Sequence, residues 1–215
     1  MQKPFYQLAQ NRDVIRQFTP NWFTMTMGTG VVALIISEFP FAHDLFWALG
    51  TALWQFNTLL FCAFSVLYIL RWLIYPHEAR QIFSHSSMAL FLGAIPMGLA
   101  TVINGFLKYG IALYGDVAVQ IAQSLWYLDV ILAVLIGIIV PFFMFSQQKH
   151  ELQTMTAMWL LPIVACEVAA TSGGLLLAHL PAGQEAVGIL FANYVLWGMS
   201  VLPAFGILSI LMLRL

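Results

Sequence analysis

Six long apolar runs fill most of this chain of 215 residues, and the basic residues between them fall on alternate sides. The runs cover residues 21–39, 45–75, 87–107, 117–146, 155–178 and 186–213. Each reaches the roughly 20 residues that an α-helix needs to cross about 30 Å of hydrocarbon. Lipid cannot satisfy backbone N–H and C=O groups, so a helix is the economical way to span it. Counted through six crossings, Lys3, Arg12, Arg16, Arg71, Arg80, Lys149 and Arg214 share one side, and Lys108 stands on the other. That asymmetry predicts a multi-pass protein of the plasma (inner) membrane with a cytoplasmic N-terminus.

Composition closes off other classes. Charged residues make up 8% of the chain, against about 25% in soluble domains. A net charge of −1 with no basic cluster gives nucleic acid no footing. Cys62 and Cys166 both fall inside apolar runs, where they read as small packing residues. The five histidines show no metal-ligand spacing, and no catalytic or phosphate-binding motif is present. The expectation is therefore no enzyme, no cofactor and no metal. The one polar group at an interface, His85 with Ser84, Ser86 and Ser87, reads as a helix cap.

Residues 1–19 form a cytoplasmic lead, read as a short interfacial helix, and 20–215 the helical bundle. Pro20 suits the first turn of a helix, where a missing N–H costs nothing. The runs differ in kind. The first, third and fifth carry small and polar residues at mid-depth: Thr26, Gly28, Thr29 and Gly30; Pro96, Gly98, Thr101 and Asn104; Pro162, Glu167, Thr171 and Ser172. The even runs are greasier. Glycine and proline let backbones approach and free carbonyls, which is how transporters build ion sites without full charges. Odd helices are thus expected to line something and even ones to buttress them. Close helix packing uses the same residues.

Two carboxylates lie well inside the runs, Asp129 and Glu167. A charge at mid-membrane costs at least about 2.5–3.5 kcal/mol, so each must face the interior, be paired or be neutral. Glu167, among small residues, is the candidate for the substrate pathway. Asp129, on the greasier fourth run, reads as a structural carboxylate capping a neighbour. An anion crossing here would meet hydroxyls, amides and helix dipoles, because no lysine or arginine lies deep in a run.

Four segments together carry a resemblance. They are Pro20-Asn21-Trp22-Phe23-Thr24-Met25-Thr26-Met27-Gly28-Thr29-Gly30, Phe91-Leu92-Gly93-Ala94-Ile95-Pro96-Met97-Gly98-Leu99-Ala100-Thr101, Leu125-Trp126-Tyr127-Leu128-Asp129-Val130, and Trp159-Leu160-Leu161-Pro162 with Thr171-Ser172-Gly173-Gly174. They resemble the tellurite-resistance/dicarboxylate transporter family, which includes malic-acid permeases, sulfite exporters and plant slow anion channels. The resemblance implies ten helices, five odd ones around a pore and five even ones outside, usually as a homotrimer in lipid. It implies that the turn at 28–30, the kink at 96–98 and the stretch 162–174 line the pore, with Asp129 in the outer ring. It implies a small-anion substrate: malate first, then sulfite or tellurite-type anions. The phenylalanine that plugs the pore in relatives lies on a ninth helix, beyond Leu215. A fragment of a longer protein, or one that assembles with other copies to close the pathway, is the expectation. A non-transporting membrane or assembly subunit is the alternative of another class.

Overall fold

The structure is a computed structural model, and it describes residues 12–214. Among the described residues, six membrane helices are labelled in chain order. Helix α1 is Phe23–Ile36, entered through a 3-10 turn at Pro20–Trp22. Helix α2 is His43–Ile74. Helix α3 is Ala94–Gly105, entered through the 3-10 segment Ala89–Gly93 and continued by a π-helical turn, Phe106–Gly110, and a last turn, Ile111–Tyr114. Helices α4, α5 and α6 are Asp116–Ser146, Leu161–Leu177 and Gln184–Arg214. No strand occurs among the described residues.

The protein is thus an all-α membrane bundle. Five helical segments are long and apolar enough to cross a bilayer: His43–Ile74, Ala89–Tyr114, Asp116–Ser146, Ala157–Leu177 and Gln184–Arg214. Pro20–Ile36 is shorter. Fourteen α-helical residues in α1 rise only about 21 Å, and the 3-10 turn before them adds about 6 Å. The six expected spans therefore resolve into five of full length and a short first helix. The expected turn at 28–30 runs through as unbroken α-helix.

Helix α3 is the hub. Of its most apolar stretch 78% is buried inside the chain, against 11% for α2 and α6 and 22% for α4. Both α1 and α5 pack on α3, α2 packs on α1, α4 on α3 and α5, and α6 on α5. The odd helices form an inner arc and the even helices its back. Between apolar helices in lipid, association depends on close van der Waals approach, so small residues mark the contacts. Gly93 lets α3 meet the start of α5: a Cβ there would lie 2.4 Å from the Leu161 carbonyl oxygen. The tight α3–α4 turn depends on Gly115, whose φ of 61° suits no side chain well.

The lead is fastened to α2. Its one helical turn, Asp13–Arg16, puts the Arg16 guanidinium 2.7 Å from Glu78, and buried Arg71 donates to the Phe18 carbonyl. Arg16 pulls the Glu78 carboxyl below its usual range. Lys3 and the rest of the lead before Arg12 lie outside the described residues.

Candidate functional site

The candidate residues divide by what they touch. One group forms a closed polar seam where α1, α2 and α3 meet. Thr101 is its centre, with its hydroxyl 2.8 Å from the Gly98 carbonyl and 3.4 Å from that of Thr26. Asn57 of α2 donates to it at 3.2 Å. Thr26 returns its hydroxyl to Phe23. Gly30 is the floor: a Cβ there would meet Thr101 Oγ1 at 2.1 Å and Asn57 Nδ2 at 2.8 Å. Gly98 performs the same service for Thr26. Thr26, Gly30, Gly98 and Thr101 are all buried, as are Pro96 on α3 and Pro162 where α5 backs onto Gly93.

A second group lies on open faces. Gly28 is exposed, with nothing within 4 Å of where a Cβ would stand, and Thr29 is half-buried beside it. Thr171 is exposed on α5 and donates to the Glu167 carbonyl. Glu167 turns toward α6, where Ser200 donates to its carboxylate at 3.4 Å. The two helices enclose a groove of about 460 Å³ lined by Glu167, Thr171 and Gly174 with Asn193, Tyr194 and Trp197. Ser172, next to Thr171, faces inward and donates to Val168.

Asn104 belongs to neither group. The sides of α3 are assigned by their neighbours. Gly105 lies under Trp54, and Tyr109 under Gly50, so both face α2. Gly93 faces α5, and Gly110 faces Ala118 of α4. Asn104 and Lys108 each precede an α2-facing residue by one position, about 100° round the axis. Lys108 reaches the Leu34 carbonyl of α1 at 2.7 Å and pairs with Glu38. Lys108 therefore lies against the end of α1, with Asn104 one turn before it on α3. Asn104 is half-buried, and its amide oxygen has no partner among the described residues.

Asp129 is fully buried on α4, and neither carboxyl oxygen has a partner among the described residues. Its neighbour Trp126, one turn away, donates to the Ala169 carbonyl of α5 at 2.8 Å. His85 Nδ1 accepts from the backbone N–H groups of Ser87 and Met88, a turn before α3. Among the described residues no group of His, Cys, Asp and Glu side chains could hold a metal. Both cysteines are free. Asn57 and Asn193 escaped the sequence reading because each is an amide in a greasy even run, Asn57 beside Gln55 and Asn193 alone. An amide set in an otherwise apolar run was the one signal that could have found them.

An arc of small-residue helices backed by apolar ones defines a class, the helical-bundle membrane proteins with interior polar faces. Residues 17–215 match the family described as voltage-dependent anion channel, and the chain belongs to that family. The resemblance read from the four motifs stands. The chain is 35% identical over 210 residues to a sulfite efflux pump of Arthroderma otae, covering 96% of this chain and 56% of that protein. It is 29% identical to the sulfite efflux pump of Candida albicans, covering 99% of this chain and 44% of the other. With the malic acid transport protein of Schizosaccharomyces pombe it shares 26% identity, covering 95% and 47%. The chain thus spans about half the length of the curated relatives it matches. No solved structure matches it.

Proposed function

We propose that the full-length protein carries small anions across a membrane, with sulfite the first substrate and malate the second. This reverses the order expected from the motifs alone. The observation that carries it is the likeness to sulfite efflux pumps at 35% identity, against 26% for the malic acid transport protein. In this reading α1, α3 and α5 form one wall of the pathway. Asn104, Gly28 and Thr171 face the anion, and the closed seam holds α1 and α3 at fixed spacing. Amides and hydroxyls suit conduction, because an anion bound by a buried cation leaves slowly. Glu167 tunes the pathway from the α5–α6 side, and Asp129 serves the back of the wall. Copies of the protein associate as a homo-oligomer, taken here to be a trimer.

The bundle end that carries Arg12, Arg16, Arg71, Arg80, Lys149 and Arg214 faces the cytoplasm by the positive-inside rule. The plasma membrane is the proposed location. Reconstituted full-length protein in vesicles loaded with labelled sulfite or malate tests the reading. Saturable efflux of sulfite above that of malate supports it. Flux of malate alone moves the substrate to the second reading, and absence of both removes anion transport.

A further inference from the structure

We propose that Lys108 is the residue that captures the anion at its end of the pathway, and that Glu38 is a tethered competitor for the same ammonium. The inference rests on the transport reading and names how that pathway is entered.

Lys108 is the one lysine or arginine among the described residues at its end of the bundle. Glu38, Asp44, Asp116 and Glu185 are at the same end. An arriving anion therefore meets a net acidic rim with a single cation in it. Coulomb repulsion from the rim lowers the local anion concentration, and a lysine at the entrance restores it. The position of Lys108 fits that task. It stands where α3 meets the end of α1, one turn above half-buried Asn104. The side chain is held there by the Leu34 carbonyl, 2.7 Å away, and by the Glu38 carboxylate.

Lys108 is also carried on the π-helical turn Phe106–Gly110. Such turns are rare and recur at functional sites. The next residue, Tyr109, is fixed by bonds to the Ala33 carbonyl and the Ser37 hydroxyl. The backbone under Lys108 is therefore held while its ammonium end stays within reach of solvent. Glu38 is exposed, and among the described residues the hydrogen bond that ties its side chain to the bundle is the one to Lys108. Lys108 holds the Glu38 carboxyl below its usual range, so near neutral pH the competitor is a carboxylate. An incoming anion with two or more oxygens offers Lys108 the same contact that Glu38 does. Exchange of one for the other costs little, and the ammonium is not left unpaired at any stage. The occupied site sits directly above Asn104, the next polar group inward.

The test compares Lys108→Gln, Lys108→Arg and Glu38→Gln in the full-length protein, by sulfite flux in vesicles over a range of sulfite concentration. Loss of one exposed charge pair corresponds to about a threefold to fivefold change. Lys108→Gln is expected to raise the half-saturating concentration by that factor, and Glu38→Gln to lower it. Lys108→Arg should stay near the unsubstituted value, because the charge is kept. A purely structural ion pair gives the opposite pattern: both neutral substitutions lower the melting temperature and move the half-saturating concentration in one direction or not at all. That pattern overturns the proposal. If Lys108→Gln does not fold, the direction of the Glu38→Gln shift decides alone. Unsubstituted protein that carries neither sulfite nor malate removes the transport reading itself, and this inference with it.

Discussion

The seam around Thr101 and the groove around Glu167 are built from the same residue types and come out opposite. In the seam, three helices close on Thr26, Gly30, Asn57, Gly98 and Thr101, and every one of them is buried. In the groove, Thr171 and Gly174 are exposed, and Glu167 keeps a single long hydrogen bond to Ser200. The difference lies in neighbours. Thr101 has helices on two sides that approach closely because Gly30 and Gly98 have no side chains. Gly174 has nothing within 4 Å of where a Cβ would stand. A small residue is thus a packing device where a partner closes on it and an opening where none does.

The largest test of that contrast is a pair of one-methyl additions on α1. Gly30→Ala drives a Cβ into Thr101 and Asn57, and overpacking of this kind costs about 1–3 kcal/mol. Gly28→Ala meets open space and replaces glycine in a helix, a gain of up to about 1 kcal/mol. Thermal melting of the purified protein, read by tryptophan fluorescence, should separate the two by several degrees. Equal losses would mean that Gly28 is as enclosed as Gly30 in the folded protein, and the contrast would fail.

Next in size is Thr101→Val. It keeps the volume of the seam and removes the hydroxyl that Asn57 meets. The Asn57 amide oxygen already lacks a partner among the described residues, so the substitution strands the whole amide. A cost of about 1–2 kcal/mol follows from a lost buried hydrogen bond, near the top of the range for helix pairs in lipid. The half-saturating sulfite concentration should not change. A changed concentration at unchanged stability would move the seam from packing into the pathway. Glu167→Gln is the converse: the amide oxygen still accepts from Ser200, so melting should shift by less than about 0.5 kcal/mol. Flux is expected to change. Unaltered flux would reduce Glu167 to a contact between α5 and α6.

Much of this was legible in the chain. The apolar runs announced the helices because a bilayer leaves the backbone no other partners. The greasier even runs announced the back of the arc. The division of the small residues did not show, because Gly28 and Gly30 differ only by about 200° of helix rotation and by what faces them. Nor did the π turn at Phe106–Gly110, which changes hydrogen bonding without altering the apolar pattern. Asn57 and Asn193 went unread because one or two amides barely dent the hydropathy of a run of about 30 apolar residues. Lys108 was counted for topology, and its place against the end of α1 required knowing that Gly105 and Tyr109 face α2.

The smallest expected effect concerns the far end of the seam. There Arg16 and Glu78 tie the lead to the short helix Pro76–Arg80 that follows α2, while the groove has no comparable charged fastening among its lining residues. Arg16 depresses the Glu78 carboxyl, chiefly through the hydrogen bond between them. A carboxyl depressed in the folded state adds stability above its unfolded pKa of about 4.3, and loses it as pH falls through the lower folded value. Both side chains are exposed, so solvent screens the pair and the gain is small. Melting curves between about pH 6 and pH 3 should therefore fall slightly more steeply for the unsubstituted protein than for Glu78→Gln. At neutral pH the variant should melt a little lower, and the two should converge in acid. Parallel curves would mean that the bond from Arg71 to the Phe18 carbonyl holds the lead by itself.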